Sequence, residues 1–372
     1  MKLVLTGGGT GGHVYPALAI AETFSHEKDF TPLSVLFIGT KDRMEAQIVP
    51  KAGVEIEFVR AAPLERKATP AFFAMLLTNL VGFVDSFEIV RKLRPDVLIA
   101  TGGYVTLPVV AAARTARMLG LLATKIVVLE PNAVAGLTNR VLGPLVDEVW
   151  YALPPGRKLG AREAVVGTPV RASMRRPMTA AQGRAALKLD PLKTTIVVMG
   201  GSLGAQSLNE TIADLVEKGF PEKWQILVLA GERDQQETWR RLGWRDRVKV
   251  LAYIDDPRPA YAAADIVVSR AGASTLGELA ATGTPALLVP YPHATADHQT
   301  ANARAYAASG AARLIPDAEL DAGRLRLELT AALGAERATA MRAAAERAAR
   351  ADARSAIVAR VKTWSLPNSS NP

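Results

Sequence analysis

The residues with the clearest chemical potential stand where the first apolar run stops. Gly7, Gly8, Gly9, Gly11 and Gly12, with Thr10 among them, separate residues 3–5 from a helical pattern, and His13 follows directly. Glycine loses more backbone freedom on folding than any other residue, so such a cluster implies a close approach or a ligand. Bare amides at a helix start favour an oxyanion. An imidazole, with an ordinary pKa of about 6.5, suits general-base work near neutral pH. Gly7, Gly9 and Gly12 also match a dinucleotide fingerprint. The second strand-like run, however, ends in FIGTKD, with Gly39 where an acid would hold the ribose of NAD. A nicotinamide cofactor is therefore not expected.

A second glycine turn, Gly200-Gly201-Ser202, follows another apolar run, and later comes SRAGASTLGELAATGTP (269–285). There the small residues Gly272, Ala273 and Ser274 lead into a helix with Thr275 near its start and Glu278 one turn on. Amides at such a start can bind a pyrophosphate, and a carboxylate at Glu278 can accept both hydroxyls of a ribose. His293 and His298 read as donor-side or structural residues and His26 as surface. Asp255-Asp256 reads as a helix cap, not as a metal site.

Stepping outward, strand-like runs alternate with helical patterns along the whole chain, which predicts parallel sheets covered on both faces. Strands are expected near 4–5, 34–38, 96–100, 125–129 and 148–151, then at 194–199, 225–229, 248–253, 265–268 and 286–289. The opening plan recurs in TTIVVMGGSLGAQSLNETIADLV (194–216), so the expected fold is α/β with two Rossmann-like, doubly wound domains. The expected bounds are 1–167 and 168–351, with a helix at about 352–372 returning to the first domain and a ligand cleft between the two. With 372 residues, 49% hydrophobic, the chain can bury two cores. It has no cysteine, hence no disulfide and no thiolate ligand. The start runs into a strand, so no secretory signal is expected. The apolar neighbourhood 71–84, interrupted by Thr78, Asn79 and Gly82, reads as too short to span a bilayer. A net charge of +9 points to an anionic partner: nucleic acid, acidic lipid or a phosphorylated substrate.

Together, GGGTGGHVYPALAIA, TGGYVTLPVVAAA, EPNAVAGLTNR, GTPVR, GGSLGAQSLN, SRAGASTLGELAATGTPALLVPYP and DHQTANA resemble, in order, the MurG family of bacterial N-acetylglucosaminyltransferases. The resemblance implies a GT-B fold and inverting transfer of GlcNAc from UDP-GlcNAc to lipid I (undecaprenyl-pyrophosphoryl-MurNAc-pentapeptide) during peptidoglycan synthesis. It places the donor on Ser202, Gly272, Ala273, Ser274, Thr275, Leu276, Gly277 and Glu278. Ile254 would contact uracil through its backbone, and Gln299 would read the GlcNAc hydroxyls. Thr10, Gly11, Gly12, Asn132 and Arg171 complete the family's donor site, and Gly102, Gly103 and Tyr104 belong to its acceptor loops. Leu203 stands where the family usually has Gln, and Thr168 where it usually has Asn.

Inversion needs one in-line displacement, with a base for the C4 hydroxyl of MurNAc, and His13 is the candidate. No cofactor and no protein-bound metal are expected, since GT-B enzymes stabilise the departing diphosphate with a helix dipole. Lipid I implies peripheral attachment to the cytoplasmic face of the membrane. Phe72, Phe73, Met75, Leu76, Leu77, Leu80, Phe83 and Phe87 nearly surround one helical pattern, flanked by Arg66, Lys67, Arg91, Lys92 and Arg94. That composition suits an anionic membrane surface. Cell-wall synthesis proteins are further expected partners, and on this resemblance nucleic acid is not. The alternatives are another GT-B lipid transferase and a UDP-GlcNAc 2-epimerase-like isomerase, which needs no acceptor.

Overall fold

The apolar runs become the interiors of two parallel sheets. A computed structural model describes residues 1–63, 69–201, 204–350 and 352–365. The expected diphosphate contact Ser202, with Leu203, lies outside these residues, as do the basic residues Arg66 and Lys67. The chain divides into two compact units: Met1–Ala172 with Asp352–Pro372, and Ser173–Ala351.

Unit 1 runs β1 (Lys2–Thr6), α1 (Gly11–Ser25), β2 (Ser34–Gly39), α2 (Glu45–Lys51), β3 (Glu55–Phe58), α3 (Pro70–Leu93), β4 (Val97–Ala100), α4 (Thr106–Met118), β5 (Lys125–Glu130), α5 (Leu137–Leu142), β6 (Glu148–Tyr151) and β7 (Glu163–Val165). Unit 2 runs α6 (Ala180–Ala186), β8 (Thr194–Met199), α7 (Gln206–Glu217), β9 (Trp224–Leu229), α8 (Gln235–Leu242), β10 (Val248–Leu251), α9 (Arg258–Ala263), β11 (Ile266–Ser269), α10 (Ala273–Thr282), β12 (Ala286–Leu288), α11 (His298–Ala307), β13 (Ala312–Leu314), α12 (Ala322–Ala332) and α13 (Ala335–Arg350). The last helix, α14 (Ala353–Ser365), belongs to unit 1: Ile357, Val358 and Val361 join its core, and Trp364 stacks on Trp150 at 6.0 Å.

Among the described residues the sheet orders are β3-β2-β1-β4-β5-β6-β7 and β10-β9-β8-β11-β12-β13. The first six positions follow the same plan in both. Each sheet therefore reverses direction at its first strand, between β1 and β4 and between β8 and β11, and open parallel sheets take ligands at that point, beyond the carboxyl ends. The glycine turns occupy those ends in both units. The central strands read as continuous apolar runs because both faces are covered: Leu3, Val4 and Leu5 are fully buried and pair with Val35–Phe37 and Val97–Ile99.

α3 matches the helix that the sequence sets at about residues 71–92, but it is longer than the 71–84 stretch read as too short to span a bilayer. α3 has 24 residues, capped by the Thr69 side chain with Pro70 at its first position, and by its length and composition it could cross a membrane. It packs on unit 1 through Met75, Gly82, Ser86 and Val90, which are buried. A Cβ at Gly82 would stand 1.7 Å from the Arg60 carbonyl oxygen, so only glycine permits this approach.

Candidate active site

In unit 1 the loop after β1 and the loop after β4 interlock. The Gly8 amide donates to the Gly102 carbonyl (3.2 Å), and the Thr101 hydroxyl donates to the His13 carbonyl (2.7 Å). Gly103 has φ +90°, and a Cβ there would fall 2.3 Å from Gly8 O. These glycines are required by packing between the two loops. The sequence reading of bare amides is thus corrected in part. Gly8 and Gly9 are already satisfied, Gly9 by Glu45 Oε2 at 3.2 Å, whereas the amides of Thr10, Gly11 and Gly12 have no partner among the described residues.

Glu45 is fully buried. Its other oxygen accepts from the Thr40 hydroxyl (2.7 Å) and the Thr40 amide (3.3 Å), and no cation lies within salt-bridge distance among the described residues. A buried carboxylate with three donors is an anchor. Here it fixes the path of the glycine loop.

His13 lies in the first turn of α1. Its Nδ1 is 3.0 Å from the Gly8 carbonyl oxygen and 3.3 Å from Thr10 Oγ1. A carbonyl can only accept, so Nδ1 carries the proton and the neutral ring keeps its lone pair on Nε2. Gly102 faces that edge of the ring: a Cβ there would stand 3.0 Å from Nε2. The loops thus hold an imidazole in the tautomer a general base needs. Tyr104, half-buried, accepts from Arg43 Nε at 3.0 Å. It also borders a cavity of about 590 Å³ that reaches Lys41, Arg60 and Glu88.

Asn132 is held by Glu130, which accepts from the Asn132 amide (2.8 Å), the Gly136 amide (3.0 Å) and the Asn139 side chain (2.8 Å). Burial raises the Glu130 carboxyl above the usual carboxylate range, and those hydrogen bonds oppose the rise. Arg171 is exposed, with its guanidinium 5.9 Å over the Tyr15 ring.

In unit 2 the loop after β11, the counterpart of β4, is built differently. α10 begins at Ala273 with Gly272 as a cap that has no capping side chain. The amides of Ala273, Ser274 and Thr275 have no partner among the described residues, nor has the buried Ser274 hydroxyl. Leu276 and Gly277 face the core. Behind this start, Arg270 pairs with Asp317 and donates to Ser207 Oγ at 2.8 Å and to the carbonyls of Val289 and Pro290. That network ties α7, β11 and the loop after β12 together. Glu278, half-buried, accepts from the Tyr261 hydroxyl at 2.8 Å. Ile254 follows β10, and its backbone amide and carbonyl make no hydrogen bond among the described residues. Gln299 Oε1 accepts from the Ala271 amide (3.1 Å) and the Tyr291 amide (3.0 Å). Two donors on one oxygen fix the amide orientation, so its NH₂ is the end left for other partners.

Asp256 accepts from the Arg258 amide at 3.1 Å, a local turn bond, but the cap of α9 is Pro257 and has no capping side chain, so the expected capping role is not found. His26 is exposed, His298 Nδ1 sits 2.7 Å from the Thr295 carbonyl, and His293 packs edge-on against Tyr291. Among the described residues no group of three His, Asp or Glu side chains could hold a metal ion. On α3, Met75 is buried and Phe72, Phe83 and Phe87 are half-buried, which narrows the expected patch. The face left open is Phe73, Leu76, Leu77, Leu80 and Val84, each at least 47% exposed.

Glu45, Glu130, Tyr261 and Arg270 escape the sequence reading. Glu45 leaves one trace there: it shares a helix face with Val49, an acid on an apolar side.

Residues 3–151 match the glycosyltransferase family 28 N-terminal domain, and residues 195–357 match that family's C-terminal domain. The chain is 40% identical over 359 residues to the UDP-N-acetylglucosamine–N-acetylmuramyl-(pentapeptide) pyrophosphoryl-undecaprenol N-acetylglucosamine transferase of Salinibacter ruber, covering 95% of this chain and 94% of that one. The enzyme of the same name from Halothermothrix orenii is 40% identical over 340 residues, covering 87% and 88%. The chain belongs to the MurG family of glycosyltransferases. A crystal structure of Acinetobacter baumannii MurG superposes with a TM-score of 0.76 at 27% identity, over 97% of this chain and 99% of that one. The MurG match extends over both units, so it includes the interlocked loops of the first and the open helix start of the second.

Proposed function

We infer that the protein transfers N-acetylglucosamine from UDP-GlcNAc to the C4 hydroxyl of MurNAc in lipid I, giving lipid II, with inversion at the anomeric carbon. The observation that carries this reading is 40% identity over 95% of the chain to a relative bearing that activity in its name. The roles assigned to residues rest on the geometry of each unit taken separately.

In unit 1, His13 Nε2 takes the proton from the C4 hydroxyl as its oxygen attacks the anomeric carbon. The bond from that carbon to the β-phosphate oxygen breaks, and its electron pair leaves with UDP. A positioned base contributes roughly 10²–10⁴-fold. In unit 2, the unpartnered amides at the start of α10 face negative charge that grows on the departing diphosphate, a stabilisation that a helix N-terminus supplies. Glu278 accepts the ribose hydroxyls, the Ile254 backbone meets uracil, and the Gln299 NH₂ donates to the GlcNAc hydroxyls. Gly102, Gly103 and Tyr104 shape the acceptor side. The apolar face of α3, with Arg91 and Lys92 beyond it, seats the protein on an anionic leaflet, at the cytoplasmic face where the nucleotide sugar is made available.

Incubation with labelled UDP-GlcNAc, with and without a short-chain lipid I analogue, tests the reading. A GlcNAc–MurNAc product is expected only when the acceptor is present. Conversion of UDP-GlcNAc without acceptor, or no transfer at all, would overturn it.

A further inference from the structure

The carboxylate assigned to the ribose has a neighbour that the transfer reaction does not use. Tyr261, in α9, is 1% exposed, and its hydroxyl donates to Glu278 Oε2 at 2.8 Å. A buried hydroxyl without a partner is costly, so this one is committed in direction. The ring is also fixed at its backbone: the Tyr261 amide donates to the Pro257 carbonyl at 3.1 Å, and the Thr284 hydroxyl reaches the Tyr261 carbonyl at 3.4 Å. Gly183 of α6 packs so closely on α9 that a Cβ would stand 2.6 Å from the Pro259 carbonyl oxygen. α9 therefore cannot shift away easily. Burial first, and then the Glu278 charge, push the Tyr261 phenol well above the usual tyrosine value, so it stays a donor across the working pH range.

α9 follows directly on the loop that carries Ile254, and α10 carries Glu278. One hydroxyl thus links the element beside the proposed base contact to the helix with the proposed ribose ligand. A glutamate has three rotatable torsions, and an unheld carboxylate must be ordered each time a ligand arrives. A carboxylate accepts at about four positions, so a bond from tyrosine leaves capacity for ribose hydroxyls.

We propose that Tyr261 is a positioning residue for nucleotide recognition: its hydroxyl holds the Glu278 carboxylate in the orientation that meets the ribose, and so sets the preference for ribonucleotide over 2′-deoxyribonucleotide sugar donors. The inference rests on the reading of Glu278 as the ribose ligand.

The test measures KM and kcat of the full-length protein with UDP-GlcNAc and with its 2′-deoxyuridine analogue, for wild type, Tyr261→Phe and Glu278→Ala. Tyr261→Phe removes one oxygen and keeps the ring packing. It is expected to raise KM for UDP-GlcNAc about tenfold, the size of one lost orienting hydrogen bond. KM for the deoxy donor, which keeps only the 3′-hydroxyl for Glu278, should rise by a clearly smaller factor, and kcat at saturation should not change. A residue that only supports the fold would raise both KM values by the same factor, and that result overturns the proposal, as does an unchanged KM for UDP-GlcNAc. Glu278→Ala separates the two levels of the argument. If Glu278→Ala weakens the ribonucleotide donor and Tyr261→Phe does not, positioning fails alone. If Glu278→Ala has no effect, the ribose role fails and takes the positioning role with it.

Discussion

The two units share a strand order, β1 and β4 matching β8 and β11, yet the loops that follow these strands are built differently. In unit 1 the start of the turn after β1 is closed by its own protein, while the amides of Thr10, Gly11 and Gly12 stay without partners among the described residues. Gly8 is bonded to Gly102, Gly9 to Glu45, and the gain is a fixed side chain, His13, with its tautomer set. In unit 2 the turn after β11 also leaves three amides without partners, at the start of α10, but the first helical turn there (residues 273–276) carries no titratable side chain, and the gain is a bare backbone. The charges behind the turns differ as well. A buried carboxylate, Glu45, backs the first, whereas the Arg270–Asp317 pair backs the second. A diphosphate carrying negative charge is better served by the second arrangement. On the proposed reading, one scaffold thus serves as a base platform in one unit and an anion site in the other, through the choice of what fills the space under a loop.

The largest effect expected from this contrast is at His13. His13→Asn keeps a hydrogen-bonding side chain of similar size and removes the basic nitrogen. Turnover should fall by about 10²–10⁴-fold, while UDP binding, measured by calorimetry, stays at the wild-type value. Retained turnover would make His13 a positioner of the acceptor and reduce unit 1 to a packing platform.

A paired glycine substitution sharpens the same contrast. Gly103 and Gly201 both have left-handed backbone, φ +90° and +87°, but a Cβ at Gly103 meets Gly8 O at 2.3 Å and one at Gly201 meets nothing within 4 Å. Gly201→Ala carries only the conformational penalty, about 1–2 kcal/mol. Gly103→Ala adds an overpacking penalty, for about 2–5 kcal/mol in all. It also displaces the loop that holds His13, and a misplacement near 1 Å can cost about 10²-fold in rate. Thermal unfolding and turnover of the two variants, measured side by side, check this. Equal penalties would mean that the two loops are not interlocked.

The same contrast explains what the sequence could disclose. The central strands are legible because burial on both faces demands continuous apolar runs, as in residues 196–198. The edge strands β3, β7 and β13 are not. EIEF is half-exposed and carries two glutamates, and β7 and β13 have three residues each. The proposed site residues His13 and Glu278 can be picked out of their motifs because residue type and local context together carry the chemistry, and Gln299 through the family resemblance alone. Their supports cannot. Glu45 lies 36 positions from Gly9, and Tyr261 lies 17 from Glu278, so only the folded chain brings them into hydrogen-bond range. Met75 fails for a related reason: composition shows an apolar helix, and only packing says which side faces the core.

The smallest expected effect tests whether membrane contact belongs to unit 1 alone. On α3, Phe73, Leu77, Leu80 and Val84 recur at spacings of four, three and four, one helical face, and Arg91 continues it seven residues on. Arg91 is exposed and has no ion-pair partner among the described residues. Unit 2 also exposes large apolar groups beside arginines, Trp239 and Trp244. There, however, Arg240 pairs with Glu237, Arg241 pairs with Asp214 and Glu217, and Arg245 stacks over the Trp244 ring at 4.1 Å. A basic residue near an anionic leaflet contributes about 1 kcal/mol, so Arg91→Gln should weaken binding to anionic vesicles about fivefold. Binding to neutral vesicles should be unchanged, and the difference should shrink as salt screens the surface. Arg240→Gln should leave both alone. Vesicle affinity that responds to Arg240 and not to Arg91 would move the membrane contact to unit 2, and α3 would then be an apolar face awaiting a protein partner.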